Sequence, residues 1–218
     1  MRTFVRREGH FTPAQKRALA ELLPQLGIDP AGPVLDLDAL FGRVAPRVLE
    51  IGFGSGDALA QIAAEQPEQD FIGIEVHRPG VGRLLNLVAA QNPGNVRVVC
   101  GDAVTFLEQR LPAASLDRIN IWFPDPWPKK RHHKRRMIQP EFVALLATRL
   151  RAGGLLHLAT DWQDYAGHML KVLNSEPAFR NTAEKDYVPR PGQRPLTRFE
   201  QRGRRKGHGV WDLLFERV

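Results

Sequence analysis

The sequence predicts an α/β fold in which a mostly parallel central sheet is flanked by helices. Three observations carry this expectation. From Pro46 onward, short runs rich in Val, Ile and Leu alternate with amphipathic stretches long enough for helices. The first run ends in a glycine-rich turn, Gly52-Phe53-Gly54-Ser55-Gly56. Acidic residues, Glu50, Glu75 and Asp102, then recur at the ends of three successive strand patterns, where open α/β sheets bind their ligands.

Taken in order, Thr12-Pro13 opens a first helix that runs through Leu23. Threonine caps, and proline suits the first helical position because its missing N–H would be orphaned there anyway. Pro24, Pro30, Gly32 and Pro33 then break the chain into loop. Strands are expected at 47–52, 70–76, 95–101, 116–123 and 154–160, and helices at 58–65, 80–91, 103–110, 140–150 and 164–174. The stretch 190–209 reads as loop and 209–218 as a last strand. This pattern divides the chain into an N-terminal extension with a short helix, 1–45, and a single domain, 46–218.

Composition narrows the function classes. The 218 residues suffice for one domain with a sizeable core. No apolar run approaches the ~18 residues of a membrane span, and the basic N-terminus lacks the apolar stretch of a secretory signal. A cytoplasmic protein with no membrane partner is expected. The single cysteine, Cys100, cannot form an intramolecular disulfide, and without a CxxC pair no cysteine-built zinc site is expected. Lysine and arginine exceed aspartate and glutamate by 31 to 24, a net charge of +7, which suits a polyanionic partner.

The glycine turn distinguishes between cofactors. Its spacing is G-x-G-x-G, and Asp57 follows where a dinucleotide fingerprint has glycine or alanine. Glu50 precedes Gly52. A carboxylate there repels a pyrophosphate and attracts a cation, which weighs against a nicotinamide-dependent oxidoreductase. S-adenosylmethionine, cationic at sulfur and free of phosphate, suits Glu50 and Asp57. Glu75 stands where Rossmann-type sites bond ribose hydroxyls, and Asp102 where a carboxylate can accept from an adenine amino group. The expectation is a Rossmann-like class I S-adenosylmethionine-dependent methyltransferase, with Gly52, Gly54 and Gly56 forming the cofactor turn.

After the fourth strand comes Trp122-Phe123-Pro124-Asp125-Pro126-Trp127-Pro128, in which alternating prolines restrict the backbone around Asp125. Asp125 therefore faces the ligand crevice from a fixed position. Lys129 to Arg136 follows with six lysines or arginines and two histidines, a phosphate-contacting run beside the chemistry. His132 and His133 have no carboxylate or cysteine at ligand spacing, so no metal is expected. A non-catalytic RNA-binding module would leave the acidic strand ends unexplained. The basic run does not separate RNA from DNA.

Glu50-Ile51-Gly52-Phe53-Gly54-Ser55-Gly56, Gly73-Ile74-Glu75, Gly101-Asp102-Ala103, the run Phe123 to Arg136, Ala159-Thr160-Asp161 and Thr197-Arg198-Phe199-Glu200 together resemble the bacterial TrmB family of tRNA (guanine-N7-)-methyltransferases. The resemblance runs from about Phe41 onward, and Phe4-Val5-Arg6-Arg7 also resembles that family's start. It implies cofactor contacts by Glu50, Glu75, Asp102 and Asp125, with Asp125 catalytic. It implies substrate contacts by Lys129, Asp161, Thr197, Arg198, Phe199 and Glu200. The implied target is guanine 46 in the tRNA variable loop. The remaining run, Lys130, Arg131, His132, His133, Lys134, Arg135 and Arg136, is then expected on RNA, in a monomer or homodimer.

Overall fold

A computed structural model describes residues 10–91, 94–192, 194–196, 200 and 209–218. Eight strands form one sheet in the order β1-β4-β3-β2-β5-β6-β8-β7. They are β1 (Gly27–Ile28), β2 (Arg47–Ile51), β3 (Asp70–Glu75), β4 (Val96–Cys100), β5 (Leu116–Trp122), β6 (Leu150–Thr160), β7 (Phe179–Asn181) and β8 (Trp211–Arg217). Strands β1 to β6 pair in parallel. Strand β8 runs antiparallel to both β6 and β7. The sheet is thus mostly parallel, as the alternating sequence pattern predicts. Chain order reverses between β2 and β5, which places the ligand crevice at their carboxyl ends.

Strands β2 to β5 are largely buried on both faces, which is why they read as near-continuous apolar runs. Alternation still sorts their side chains. Val48 and Phe71 join a cluster with Leu59, Ile62, Leu84 and Leu85, from helices α4 (Asp57–Glu65) and α5 (Arg78–Gln91). Leu49 and Ile72 face the opposite cluster. That cluster contains Phe106, Leu146 and Met169, from α6 (Ala103–Gln109), α7 (Pro140–Arg149) and α8 (Gln163–Asn174). The result is a three-layer sandwich. No helix among the described residues is long and apolar enough to cross a membrane.

Helix α1 (Pro13–Glu21) begins as its sequence predicts. Thr12 Oγ1 accepts from the Gln15 N–H at 3.2 Å, and Gln15 Oε1 accepts from the Thr12 N–H at 2.8 Å, a reciprocal capping box. It packs along α5. The stretch after it is not plain loop. It holds α2 (Leu23–Leu26), β1, and α3 (Leu37–Phe41), which is capped by Asp36 and closed by Gly42 in the left-handed conformation. Strand β1 exists because Gly27 and Ile28 pair with Val98 and Val99 of β4. Two residues give no periodicity, so such a strand is invisible until its partner is known. The same holds for the three residues of β7.

Candidate active site

A cavity of about 490 Å³ opens at the carboxyl ends of β2, β3 and β5. Its floor is the turn between β2 and α4. Gly52, Gly54 and Gly56 have φ of 77°, 61° and 76°, a region in which side chains are strained. The three glycines divide by surroundings. A Cβ at Gly52 or Gly54 would meet nothing within 4 Å, and both line the cavity. A Cβ at Gly56 would lie 2.6 Å from Leu84 Cβ. Gly56 therefore lets α4 and α5 pack and, unlike the other two, does not line the cavity. Gly80, passed over in the sequence, serves the same turn: its Cβ would lie 2.0 Å from the Gly54 carbonyl oxygen.

The acidic residues separate just as clearly. Glu75 accepts the N–H of Gly54 through Oε2 (2.9 Å), and those of Val76 (2.7 Å) and His77 (2.9 Å) through Oε1. It thereby ties the glycine turn to the end of β3. Glu50, on β2, is 4% exposed, and its Oε2 is buried with no hydrogen-bond partner. Burial, and then the Glu75 charge, push its carboxyl up to about 8. Asp57, expected beside a cationic ligand, is already neutralised: Arg83 of α5 reaches Oδ1 at 2.6 Å, and Ser55 Oγ donates to Oδ2 at 2.6 Å. Asp102 caps α6, accepting from the Thr105 N–H at 2.9 Å and the Thr105 hydroxyl at 3.1 Å. Its neighbours Gly101 and Ala103 line the cavity.

The opposite wall is the loop after β5. Asp125 is exposed and lines the cavity, and no described residue hydrogen-bonds its carboxylate. Phe123 and Trp127 on either side adopt φ of 54° and 45°, costly for aromatic residues and held only where the surroundings overdetermine them. The Phe123 N–H donates to the Ala159 carbonyl at 2.7 Å. Arg135 lies 5.0 Å from the Trp127 ring centre and His132 packs at 5.9 Å.

The basic run does not act as one surface. Lys130–Arg135 forms a 3-10 turn, with Lys129 capping it and exposed. Lys130, Arg131, Lys134 and Arg135 are exposed, and Arg135 also lines the cavity. Arg136, expected on RNA, is instead 1% exposed. It donates to the Pro126 carbonyl at 2.9 Å, pairs with Asp164 and covers the Tyr165 ring at 4.9 Å. A guanidinium so enclosed braces the loop and cannot reach a phosphate. His133 turns inward beside it, 3.1 Å from Arg136 Nη2. His132 is held below its ordinary value by desolvation and by the charges of Arg135, Arg131, Lys129 and Lys134.

Thr197, Arg198 and Phe199 lie outside the described residues. Glu200 is fully buried and paired with Arg194, which is itself fully buried. A direct substrate contact by Glu200 is replaced here by an internal ion pair, because its carboxylate is closed off from the cavity. Pro195 and Leu196 line the cavity. Asp161, at the end of β6, is half-buried and is not part of the lining.

Residues 44–213 match the family model described as "Putative methyltransferase". A curated tRNA (guanine-N(7)-)-methyltransferase of Alkalilimnicola ehrlichii is 56% identical over 220 residues, covering 100% of this chain and 92% of its own. One from Pseudomonas aeruginosa is 54% identical over 219 residues, covering 100% and 90%. The chain belongs to the tRNA (guanine-N7-)-methyltransferase family. A crystal structure of the 16S rRNA methyltransferase KamB shares the fold, with a TM-score of 0.61 at 16% identity over 86% of this chain and 96% of that one.

Within this methyltransferase, Glu50, Glu75 and Asp125 converge on one cavity from β2, β3 and the loop after β5. Lys129 and Asp161 stand outside the lining. Sequence reasoning missed Gly80, Arg83 and Arg194. Only the glycine-turn context of Gly80 offered a signal.

Proposed function

We propose that this methyltransferase transfers the methyl group of S-adenosylmethionine to N7 of guanine 46 in the variable loop of tRNA. The observation that carries the reading is Glu50. A buried carboxyl oxygen without a partner, at the mouth of a glycine cradle, is costly unless a ligand supplies the missing donor. The amino group of S-adenosylmethionine is such a donor, cationic and free of phosphate. Gly52 and Gly54 leave room for its close approach, and Glu75 and Asp102 keep lone pairs for its ribose and adenine. When bound, this cofactor supplies an electrophilic methyl group.

The protein's own task is then to place a guanine. N7 has a free lone pair and no proton, so no general base is needed to create the nucleophile. Positioning carries the rate, with N7 held about 3–3.5 Å from the carbon it attacks. The purine gains positive charge as it is methylated, and the exposed Asp125 carboxylate across the cavity stabilises that charge. Lys129 contacts O6 or a phosphate, since a cation on N7 would block its lone pair. Asp161 accepts from guanine N1 and N2, which adenine cannot match. Lys130, Arg131, Lys134 and Arg135 meet the RNA backbone. The domain 46–218 does this work in the cytoplasm, as a monomer or homodimer, with 1–45 as its extension.

The test is transfer of radiolabel from S-adenosylmethionine to unmodified tRNA, with borohydride–aniline cleavage to locate 7-methylguanine, for wild type and Asp125→Ala. Label at position 46 that falls by about 10²–10³ in the variant supports the reading. Label on another base, or none, overturns it.

A further inference from the structure

Behind the cavity runs a buried polar chain that crosses four parts of the fold. Arg194 donates to Asp212 of β8 through Nε (2.7 Å) and Nη2 (2.9 Å), a bidentate pair, and its Nη1 pairs with Glu200. Its guanidinium covers the Phe123 ring at 5.5 Å. Asp212 Oδ1 lies 2.8 Å from His157 Nε2 on β6. The Trp122 indole N–H points at His157 Nδ1 (3.2 Å), and Arg118 Nη2 lies 3.4 Å from the same atom. An indole nitrogen only donates, so Nδ1 carries no proton and Nε2–H donates to Asp212. Burial also keeps this ring below its ordinary value, in accord with a neutral imidazole.

The bonds therefore converge on Asp212, which accepts from His157 on one side and from Arg194 on the other. Trp122 donates to His157, His157 to Asp212, and Arg194 donates to both Asp212 and Glu200. Its ends are the two walls of the substrate side. Trp122 and Phe123 lead into Asp125, while Pro195 and Leu196 follow Arg194 directly, and all of these line the cavity. Phe123 sits in a strained left-handed conformation that needs support from its surroundings. The Arg194 guanidinium is the charged group on its ring.

We infer that Arg194 is a positioning residue for methyl transfer, fixing the Phe123–Asp125 turn against the Pro195–Leu196 rim. This rests on the tRNA-methylation reading above. Arg194 is fully buried and stands outside the cavity lining. It acts through Phe123 on one side and through its own backbone on the other. Lysine at this position keeps the charge but loses the planar fork and the ring contact, so it separates charge balance from positioning.

The experiment compares wild type, Arg194→Lys and Arg194→Ala in single-turnover transfer at saturating tRNA, normalised to cofactor-binding sites. The indole N–H resonance of Trp122, assigned with Trp122→Phe, is recorded alongside. Arg194→Ala removes the positive charge that faces two buried carboxylates, so the lysine variant carries the decision if the alanine variant does not fold. The expected result for Arg194→Lys is cofactor affinity within about threefold of wild type, a rate per site roughly 10- to 100-fold lower, and a displaced indole resonance. A merely structural role lowers the active fraction and leaves the rate per site unchanged, which overturns the inference, as does an unmoved resonance. If wild type transfers nothing to tRNA, the function reading falls, and the resonance alone decides whether Arg194 is wired to Trp122.

Discussion

Glu75 and Arg194 anchor opposite sides of the same cavity by different means. Glu75 is held by backbone N–H groups, two from the residues that follow it and one from the Gly54 turn. Arg194 is held by carboxylates, one of them on the final strand. Backbone donors keep their place whatever side chains surround them. An ion pair in the interior depends on every member being present, because each lost partner leaves a desolvated charge. The cofactor side should therefore lose affinity on mutation while keeping its fold, and the substrate side should lose the fold itself.

The sharpest break of this contrast is Arg194→Ala. Removing one partner of a buried ion pair costs about 3–5 kcal/mol, and urea unfolding should show a loss of that size. A loss below about 1 kcal/mol would mean that the two sides are not differently built.

Next comes Glu50→Gln, on the cofactor side. The folded carboxyl is raised from 4.5 to about 8, so the folded state holds its proton while the unfolded state releases it. The stability contribution is full below pH 4.5, falls as pH rises, and is lost by about pH 8. Glutamine removes this dependence. Urea midpoints at pH 6 and pH 8.5 should therefore converge in the variant relative to wild type. S-adenosylmethionine should bind about 10- to 100-fold more weakly, the range for a hydrogen bond to a charged group. Calorimetry should also show that wild-type affinity improves from pH 6 to 8 and that the variant's does not.

Gly56→Ala tests packing beneath the cradle. A positive φ and a contact at 2.6 Å from Leu84 together cost about 1–3 kcal/mol, read as a lower Tm. Arg135→Glu is the mildest. It should raise the KM for tRNA and reduce the slope of log affinity against log salt by about one, with cofactor affinity unchanged. Equal effects on both ligands would erase the division between the two sides.

The same contrast explains what was legible in the sequence. The cradle is local: Gly52, Gly54, Glu50 and Glu75 fall within two strand-turn units, and their spacing announces a strand-to-helix ligand turn. Asp125 is legible because prolines flank it. Arg136 was misjudged because charge content in a run does not tell which member turns inward. That depends on Asp164 and Tyr165 of α8, which no local pattern marks. Arg194 stood in a stretch that reads as loop, and its partner Asp212 and the His157 that Asp212 bonds come from separate strands, β8 and β6. Gly56 read as a cofactor glycine because spacing cannot distinguish a backbone that approaches a ligand from one that approaches Leu84.

The place of β8 in the sheet bears on the order in which the protein becomes competent during synthesis. Glu50, Gly52, Gly54, Glu75 and Asp102 have all left the ribosome before β5 emerges. Asp212 emerges only with the last strand, and it must slip between β6 and β7, antiparallel to both. A nascent chain thus acquires the means to hold its cofactor well before the wall that faces RNA is locked. Until β8 docks, Arg194 and Glu200 have no buried place to go, and the half-made enzyme has no finished surface on which to misplace a methyl group.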